Sequence, residues 1–383
     1  FKQKTAYEIR NCDWSSDVCS SDLDGKDNDC DGVSTCGHYS SYNAASDAAY
    51  IFAGYRANDN MGQSVAAGDL TGDGLDDVAI GAYNADDSYN NSGTIYIFRG
   101  GGIHNTGQTY GSAADYRIYG ASAASRSGSA LSTTDYTGDG KLDLIIGAQS
   151  DNKGGASAGA VYVVAGPVSS TITLSSATYN VQLYGEVSSD FAGSVVAGLG
   201  DISGDGKGEL LIGAYGNDQG GGYAGAAYVV RGGTTGSVKL SSATTKLLGE
   251  AKSDAAGSAV ADAGDVDGDG LDDILVGASS NSSGGLSAGA AYLYSGSSLP
   301  SGTTTLGTAD AVIRGSTSYD YVGMSVGSAG DQDGDGYDDY WVAATGRDTN
   351  GSGSGSVYLF LGDRKSTRLN SSHSSVSRMP SSA

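Results

Sequence analysis

Short apolar runs, each stopped by a small residue, recur through the middle of the chain. One set reads Asp77-Val78-Ala79-Ile80-Gly81, Leu144-Ile145-Ile146-Gly147, Leu210-Leu211-Ile212-Gly213, Ile274-Leu275-Val276-Gly277 and Tyr340-Trp341-Val342-Ala343. Runs this short, rich in aliphatic residues and bounded by Gly, predict buried strands. A second set runs up to a Gly at Gly54, Gly120, Gly185, Gly249 and Gly315, as in Tyr116-Arg117-Ile118-Tyr119-Gly120. Another Gly follows at Gly62, Gly128, Gly193, Gly257 and Gly323, and opens a third segment such as Gly257-Ser258-Ala259-Val260-Ala261. The fourth set carries a recurrent tyrosine: Tyr96, Tyr162, Tyr228, Tyr292 and Tyr358. Four short strands per unit, in five units, predict an all-β fold, a β-propeller of four-stranded blades. A solenoid is the structural alternative, but its units are usually shorter.

Between the third and first sets lies a nine-residue acidic loop. Its copies begin at Asp69, Asp135, Asp201, Asp265 and Asp331, at steps of 66, 66, 64 and 66 residues. Oxygens at positions 1, 3, 5 and 9, with the carbonyl of position 7, can converge on one cation. The first copy offers Asp69, Thr71, Asp73, Leu75 and Asp77; the second Asp135, Thr137, Asp139, Lys141 and Asp143. The third offers Asp201, Ser203, Asp205, Lys207 and Glu209. The fourth offers Asp265, Asp267, Asp269, Leu271 and Asp273, and the fifth Asp331, Asp333, Asp335, Tyr337 and Asp339. An all-oxygen set without His or Cys suits Ca2+, about five ions at one per repeat. Without a cation, two carboxylates about 4 Å apart repel by roughly 4 kcal/mol at an effective dielectric of about 20. The hydroxyls at position 3 and the Glu at position 9 are expected to weaken the first three sites relative to the last two. An EF-hand is the nearest rival, but it needs a bidentate Glu at position 12, which is Ile146 in the second copy and Val276 in the fourth.

Gly-x-Ser-Val-Ala, then Asp-x-Asp-Gly-Asp-Gly-x-x-Asp, then Ile/Val-Gly-Ala resembles the FG-GAP repeat of integrin α-subunit propellers and their bacterial relatives. The resemblance covers residues 47–363 in five units. The family's propellers usually have seven blades, so the resemblance implies a fragment with two further blades. The segment from Tyr50 to Gly54 is a second possibility, as a closing strand for the last blade. Departures occur where the family has Pro after Gly-Ala: here stand Tyr83, Gln149, Tyr215, Ser279 and Thr345. The last unit has Ala343-Ala344 in place of Gly-Ala.

Composition adds bounds. Of 383 residues, 63 are Gly, 25 Tyr and only 3 Pro, which suits many short strands and turns. The formal net charge is −23, and the loops carry 20 of the 44 acidic residues. With no basic stripe, nucleic acid is excluded as a partner. Residues 1–23 and 364–383 lack the repeat and resemble translated sequencing-adapter read-through, so both are expected to be non-native. Residues 24–46 hold Asp24-Gly25-Lys26-Asp27-Asn28-Asp29-Cys30-Asp31-Gly32, either an Asp-rich metal-binding linker or a solvated one. Cys30 and Cys36 could close a small disulfide, which would imply an oxidising compartment.

Antiparallel strands alternate direction, so their connections alternate between two faces. The acidic loops should share a face with the connections from Arg99 to Asp115 and its equivalents. The opposite face should gather Tyr- and Asn-rich loops, including Arg56 to Asn60, Tyr83 to Asn90 and Ser318 to Tyr321. Such loops suit binding by rigid aromatics and adaptable polar groups, and the resemblance implies that this face takes the ligand. The expected function is an extracellular or cell-surface adhesion or ligand-binding module that recognises protein or glycan. The alternatives are a propeller-fold glycosidase or lyase, with acid and base drawn from paired carboxylates, and a structural spacer in a surface protein. No catalytic constellation is recognised, and no segment is long and apolar enough to span a bilayer.

Overall fold

The computed structural model describes residues 50–101, 107–175 and 178–363. The tracts 1–23, 24–46 and 364–383, with Cys30 and Cys36, lie outside the described residues. The chain divides into two compact units, 1–51 and 52–383, and the account below concerns the second.

After β1 (Tyr50–Ala53), each repeat lays down a sheet. The first unit contributes β2 (Met61–Gly68), β3 (Asp77–Ala82), β4 (Thr94–Phe98), β5 (Gly107–Tyr110) and β6 (Tyr116–Tyr119). The second contributes β7 (Ser127–Thr134), β8 (Asp143–Ala148), β9 (Ala160–Val164), β10 (Ile172–Thr173) and β11 (Val181–Tyr184). The third contributes β12 (Val195–Gly198), β13 (Leu210–Ala214), β14 (Ala226–Val230), β15 (Gly236–Lys239) and β16 (Thr245–Leu248). The fourth contributes β17 (Ala256–Gly264), β18 (Asp273–Ala278), β19 (Ala290–Tyr294), β20 (Gly302–Thr305) and β21 (Ala311–Arg314). The last holds β22 (Val322–Gly330), β23 (Asp339–Ala344) and β24 (Ser356–Phe360). The fold is the all-β propeller architecture, built of four-stranded antiparallel blades.

Each blade runs from an inner strand outward, as in β2-β3-β4-β6. In the first four blades the second and third strands are buried along nearly their whole length, because both of their faces are covered. That is why they read as continuous apolar runs rather than alternating ones. Inner strands pack in series: β2 on β7, β7 on β12, β12 on β17 and β17 on β22. Four cores lie between successive blades. The first joins Ile95 and Ile97 to Leu144 and Ile146, and the second joins Ile145 and Val163 to Leu210 and Ile212.

Blade contact also explains the Gly before the recurrent Ala. A Cβ on Gly81, Gly147, Gly213 or Gly277 would lie 2.1 to 2.3 Å from the carbonyl oxygen of Gly128, Gly193, Gly257 or Gly323 in the next blade. The fifth unit has Ala343 here, and no following blade packs on it among the described residues.

One feature departs from the expected four strands. The connection before each outer strand contains a further short strand, and it pairs parallel with the previous blade. β10 pairs with β6, β15 with β11, and β20 with β16. A leucine follows each of these strands. Leu174, Leu240 and Leu306 are at most 2% exposed and enter the inter-blade cores. The last sheet has three strands, β22-β23-β24; the segment from Tyr50 does not close it, which corrects that expectation. Apolar side chains stay exposed at both ends of the series, Val65 on β2 and Val357, Leu359 and Leu361 on or just after β24.

Leu240→Ala should lower stability by about 2–5 kcal/mol, the usual cost of removing a buried leucine. Ser242→Ala, on the exposed side of the same turn, should change it by no more than about 0.5 kcal/mol. Equal urea midpoints for both variants would remove the anchoring role of Leu240.

Candidate functional site: the acidic loops and the opposite face

The five acidic loops fold alike. The carboxylate at position 1 accepts backbone N–H bonds from positions 4, 5 and 6. For Asp69 these come from Gly72 at 2.7 Å, Asp73 at 3.1 Å and Gly74 at 3.0 Å. Asp135, Asp201 and Asp331 repeat the set, and Asp265 accepts from Asp269 and Gly270. The turn needs positive φ at positions 4 and 6, 71° at Gly268 and 89° at Gly270, a region open to glycine at little cost. The carboxylate at position 5 accepts the N–H of position 7: Leu75 on Asp73, Lys141 on Asp139, Lys207 on Asp205, Leu271 on Asp269 and Tyr337 on Asp335.

Position 9 opens the second strand, or in the third blade directly precedes it, and is buried in every blade. Asp77, Asp143, Glu209, Asp273 and Asp339 are at most 1% exposed. One oxygen accepts an N–H from the start of the loop, as from Thr71 to Asp77 at 2.8 Å and from Val266 to Asp273 at 3.0 Å. In four blades the other accepts an N–H just beyond the third strand, from Gly100, Gly166, Gly296 or Gly362. Burial pushes Asp143 and Glu209 above the usual carboxylate range and Asp273 up to about 7.

Neighbouring loops are chained. Asp272 accepts the N–H of Gly200 at 3.1 Å, and Asp338 accepts that of Asp265 at 3.0 Å. Between them, burial with the charges of Asp272 and Asp338 pushes Asp262 up to about 6.

Three loops bring carboxylate oxygens within 4.8 Å of one another: Asp201, Asp205 and Glu209; Asp265, Asp267 and Asp269; Asp331, Asp333 and Asp335. The first and second loops form no such trio among the described residues. In the first, Asp73 is held by Arg99 at 2.6 Å. The hydroxyls at position 3 are informative. Thr71 Oγ1, Thr137 Oγ1 and Ser203 Oγ are buried without a hydrogen-bond partner, as is Glu209 Oε1. An unpartnered buried polar atom costs about 1–3 kcal/mol. These orphans sit at loop positions 3 and 9, so the donor set fits a hard divalent cation.

The far end of each blade carries a different polar arrangement. The recurrent tyrosine points its hydroxyl at a carboxylate. Tyr96 donates to Asp87 at 2.8 Å, Tyr162 to Asp151 at 2.8 Å, Tyr228 to Glu186 at 2.8 Å and Tyr292 to Glu250 at 2.6 Å. Burial first, and then these carboxylates, push all four tyrosines up. Glu186 is also paired with the buried Lys246, and Glu250 with Arg314 at 3.1 Å. The sequence reading missed this set; its signal was the acidic residue directly after Gly185 and Gly249. A shallow cleft of about 170 Å³ opens beside Glu186, Asn217, Asp218 and Gln219.

The loops at this end hold residues in left-handed backbone. Asn60, Arg126, Phe191, Ala255 and Tyr321 have φ of 54° to 56°. The amides of Arg126, Phe191, Ala255 and Tyr321 are held by carbonyls of a neighbouring loop, those of Asn91, Ser157, Tyr223 and Ser287. Aromatics gather there. Phe191 stacks on Tyr215 with centroids 5.1 Å apart, Arg126 lies over Tyr83, and Tyr89, Tyr223 and Tyr319 are each about half exposed.

The FG-GAP repeat family model matches residues 61–98, 127–164, 192–230 and 257–294. The repeated unit is the FG-GAP repeat. The fifth unit lies outside the matched residues, yet β22–β24 repeat the same three strands. The chain is also similar to integrin alpha-V of Gallus gallus, 31% identical over 226 residues, or 57% of this chain and 20% of that protein. The chain therefore spans about a fifth of the length of that relative. Among the described residues no helix is long and apolar enough to cross a membrane.

Two outcomes follow from this geometry. The folded-state pKa of Asp273 lies above its ordinary 3.8, so the folded chain holds the extra proton, and stability falls as pH rises from about 4 to about 7. A divalent cation favours the ionised group and reverses the sign. Melting in chelator should therefore be lower at about pH 8 than at about pH 5, and calcium should abolish the difference; a flat profile in chelator would remove this account. Separately, Glu186→Ala strands a buried Lys246 and should cost about 3–5 kcal/mol, read by urea denaturation.

Proposed function

We propose that residues 47–363 form a calcium-stabilised propeller module of an extracellular or cell-surface protein. It binds a protein or glycan ligand through the loops opposite the acidic ones. The observation that carries the calcium part is the set of unpartnered buried oxygens, Thr71, Thr137, Ser203 and Glu209, inside loops already lined by carboxylates. The ligands at each ion would be positions 1, 3, 5 and 9, with the carbonyl of position 7. A bound ion supplies two positive charges that neutralise the cluster and lock the loop. The protein's own part is to hold position 1 on three backbone amides and position 9 on two elements, so little rearrangement is needed.

Support for a ligand face comes from its composition and backbone. Left-handed backbone at non-glycine residues costs of order 1–3 kcal/mol each and gathers where function requires a fixed side chain. Half-exposed tyrosines provide contact area at low entropic cost. Similarity to integrin alpha-V supports adhesion as the setting.

Calcium counting on the intact chain, with melting before and after chelation, tests the first part. About five ions per chain and a large loss of melting temperature in chelator are expected; a melt indifferent to chelator would end the reading. Binding to arrays of matrix proteins and glycans tests the second. Tyr89→Ala, Tyr223→Ala and Tyr319→Ala together should weaken capture at least tenfold with calcium uptake unchanged. No capture by the parent chain on either array would favour a spacer.

A further inference from the structure

In the first and fourth blades the residue directly beyond the third strand reaches position 5 of that blade's acidic loop. Through the repeat these residues are Arg99, Ala165, Arg231, Ser295 and Leu361. In the first blade Arg99 Nη2 lies 2.6 Å from Asp73 Oδ2, with side chains 41% and 25% exposed. In the fourth, Ser295 Oγ lies 3.3 Å from Asp269 Oδ2, the same position reached by a neutral donor. Ala165 and Leu361 carry no polar group.

We infer that Arg99 is an internal cation of the first loop, competing with calcium for Asp73 and making this loop the last to fill. The inference rests on the calcium reading above. Asp73 has two oxygens; one accepts the Leu75 N–H at 3.0 Å and the other the Arg99 guanidinium. An arriving divalent cation must share that carboxylate with a like charge or expel it. Arg99 is not free to leave unnoticed. Its own N–H is bonded to Asp115 at 2.9 Å, and the next N–H, of Gly100, to Asp77 at 2.9 Å. The stretch that carries the competitor thus also holds two carboxylates. Thr71 Oγ1 remains an unpartnered buried oxygen in the same loop, so the guanidinium neutralises the cluster without completing it. Without calcium the pair holds the first loop together; with calcium it gives way.

The effect expected from one exposed ion pair is about two- to fivefold in affinity. Calorimetric titration of the intact chain with calcium alone reads it. Arg99→Gln should strengthen the weakest ion by about that factor and lower the melting temperature in chelator. Lys252→Gln, the same charge change on the opposite face, should do neither. Ala165→Arg installs a competitor at the second loop and should weaken one further ion. Asp73→Asn should remove the weakest ion altogether. An Arg99→Gln titration that overlays the parent's, with four or more ions still bound, overturns this inference and leaves the calcium reading standing. A parent chain that takes up no calcium overturns both.

Discussion

Everything at the acidic end of the molecule depends on one buried carboxylate per blade. Asp77, Asp143, Glu209, Asp273 and Asp339 stand at the start of the second strand or directly before it, yet they are closed off from water. A buried charge is tolerated only when compensated. Backbone amides supply part of that compensation, from the loop's own start and from the exit of the third strand. The carboxylate thus ties three segments of the blade at one point, and it cannot be exchanged for an apolar residue without freeing those amides. The remaining charge, with positions 1 and 5 nearby, is what makes a cation the natural completion. Glu209 shows the tension directly, because its longer arm leaves Oε1 without a partner.

Much of this was legible in the chain. The acidic loops, the apolar runs after them and the recurrent tyrosines announce themselves because each is long, chemically distinct and evenly spaced. The Gly of Gly-Ala was visible as a pattern, but its reason was not. It meets the backbone of the next blade, a contact that exists only once two units are packed. The parallel strands β10, β15 and β20 were missed for a related reason. Ile172-Thr173 is two residues long, and Gly302 to Thr305 is Gly-Thr-Thr-Thr, with no apolar alternation to mark it. The trace that could have been followed is Leu174, Leu240 and Leu306, which step by 66 residues each. The pairing of Arg99 with Asp73 joins residues 26 apart, and nothing local marks it.

The two ends of the blades solve opposite problems. At the acidic end glycines let the backbone curl around carboxylates. At the other, bulky residues hold the same left-handed backbone, restrained by carbonyls of a neighbouring loop, while tyrosines are moored by acids beneath them. Tyr228 with Glu186 and Lys246 is the fullest case, a buried network whose members satisfy one another. A rigid floor of this kind lets short loops above it keep fixed aromatic directions without long insertions.

The parallel strands have a consequence for how the chain is made. The edge of the blade that ends at Tyr119 is covered by Ile172 and Thr173, and the edge that ends at Tyr184 by Gly236 to Lys239. The first three blades are therefore finished by residues synthesised more than fifty positions later. On the ribosome, where the N-terminal parts fold first, the newest sheet always waits with an open edge until its successor is half extruded. Assembly then proceeds as a ratchet: a blade is sealed only when the following unit has committed to the same fold.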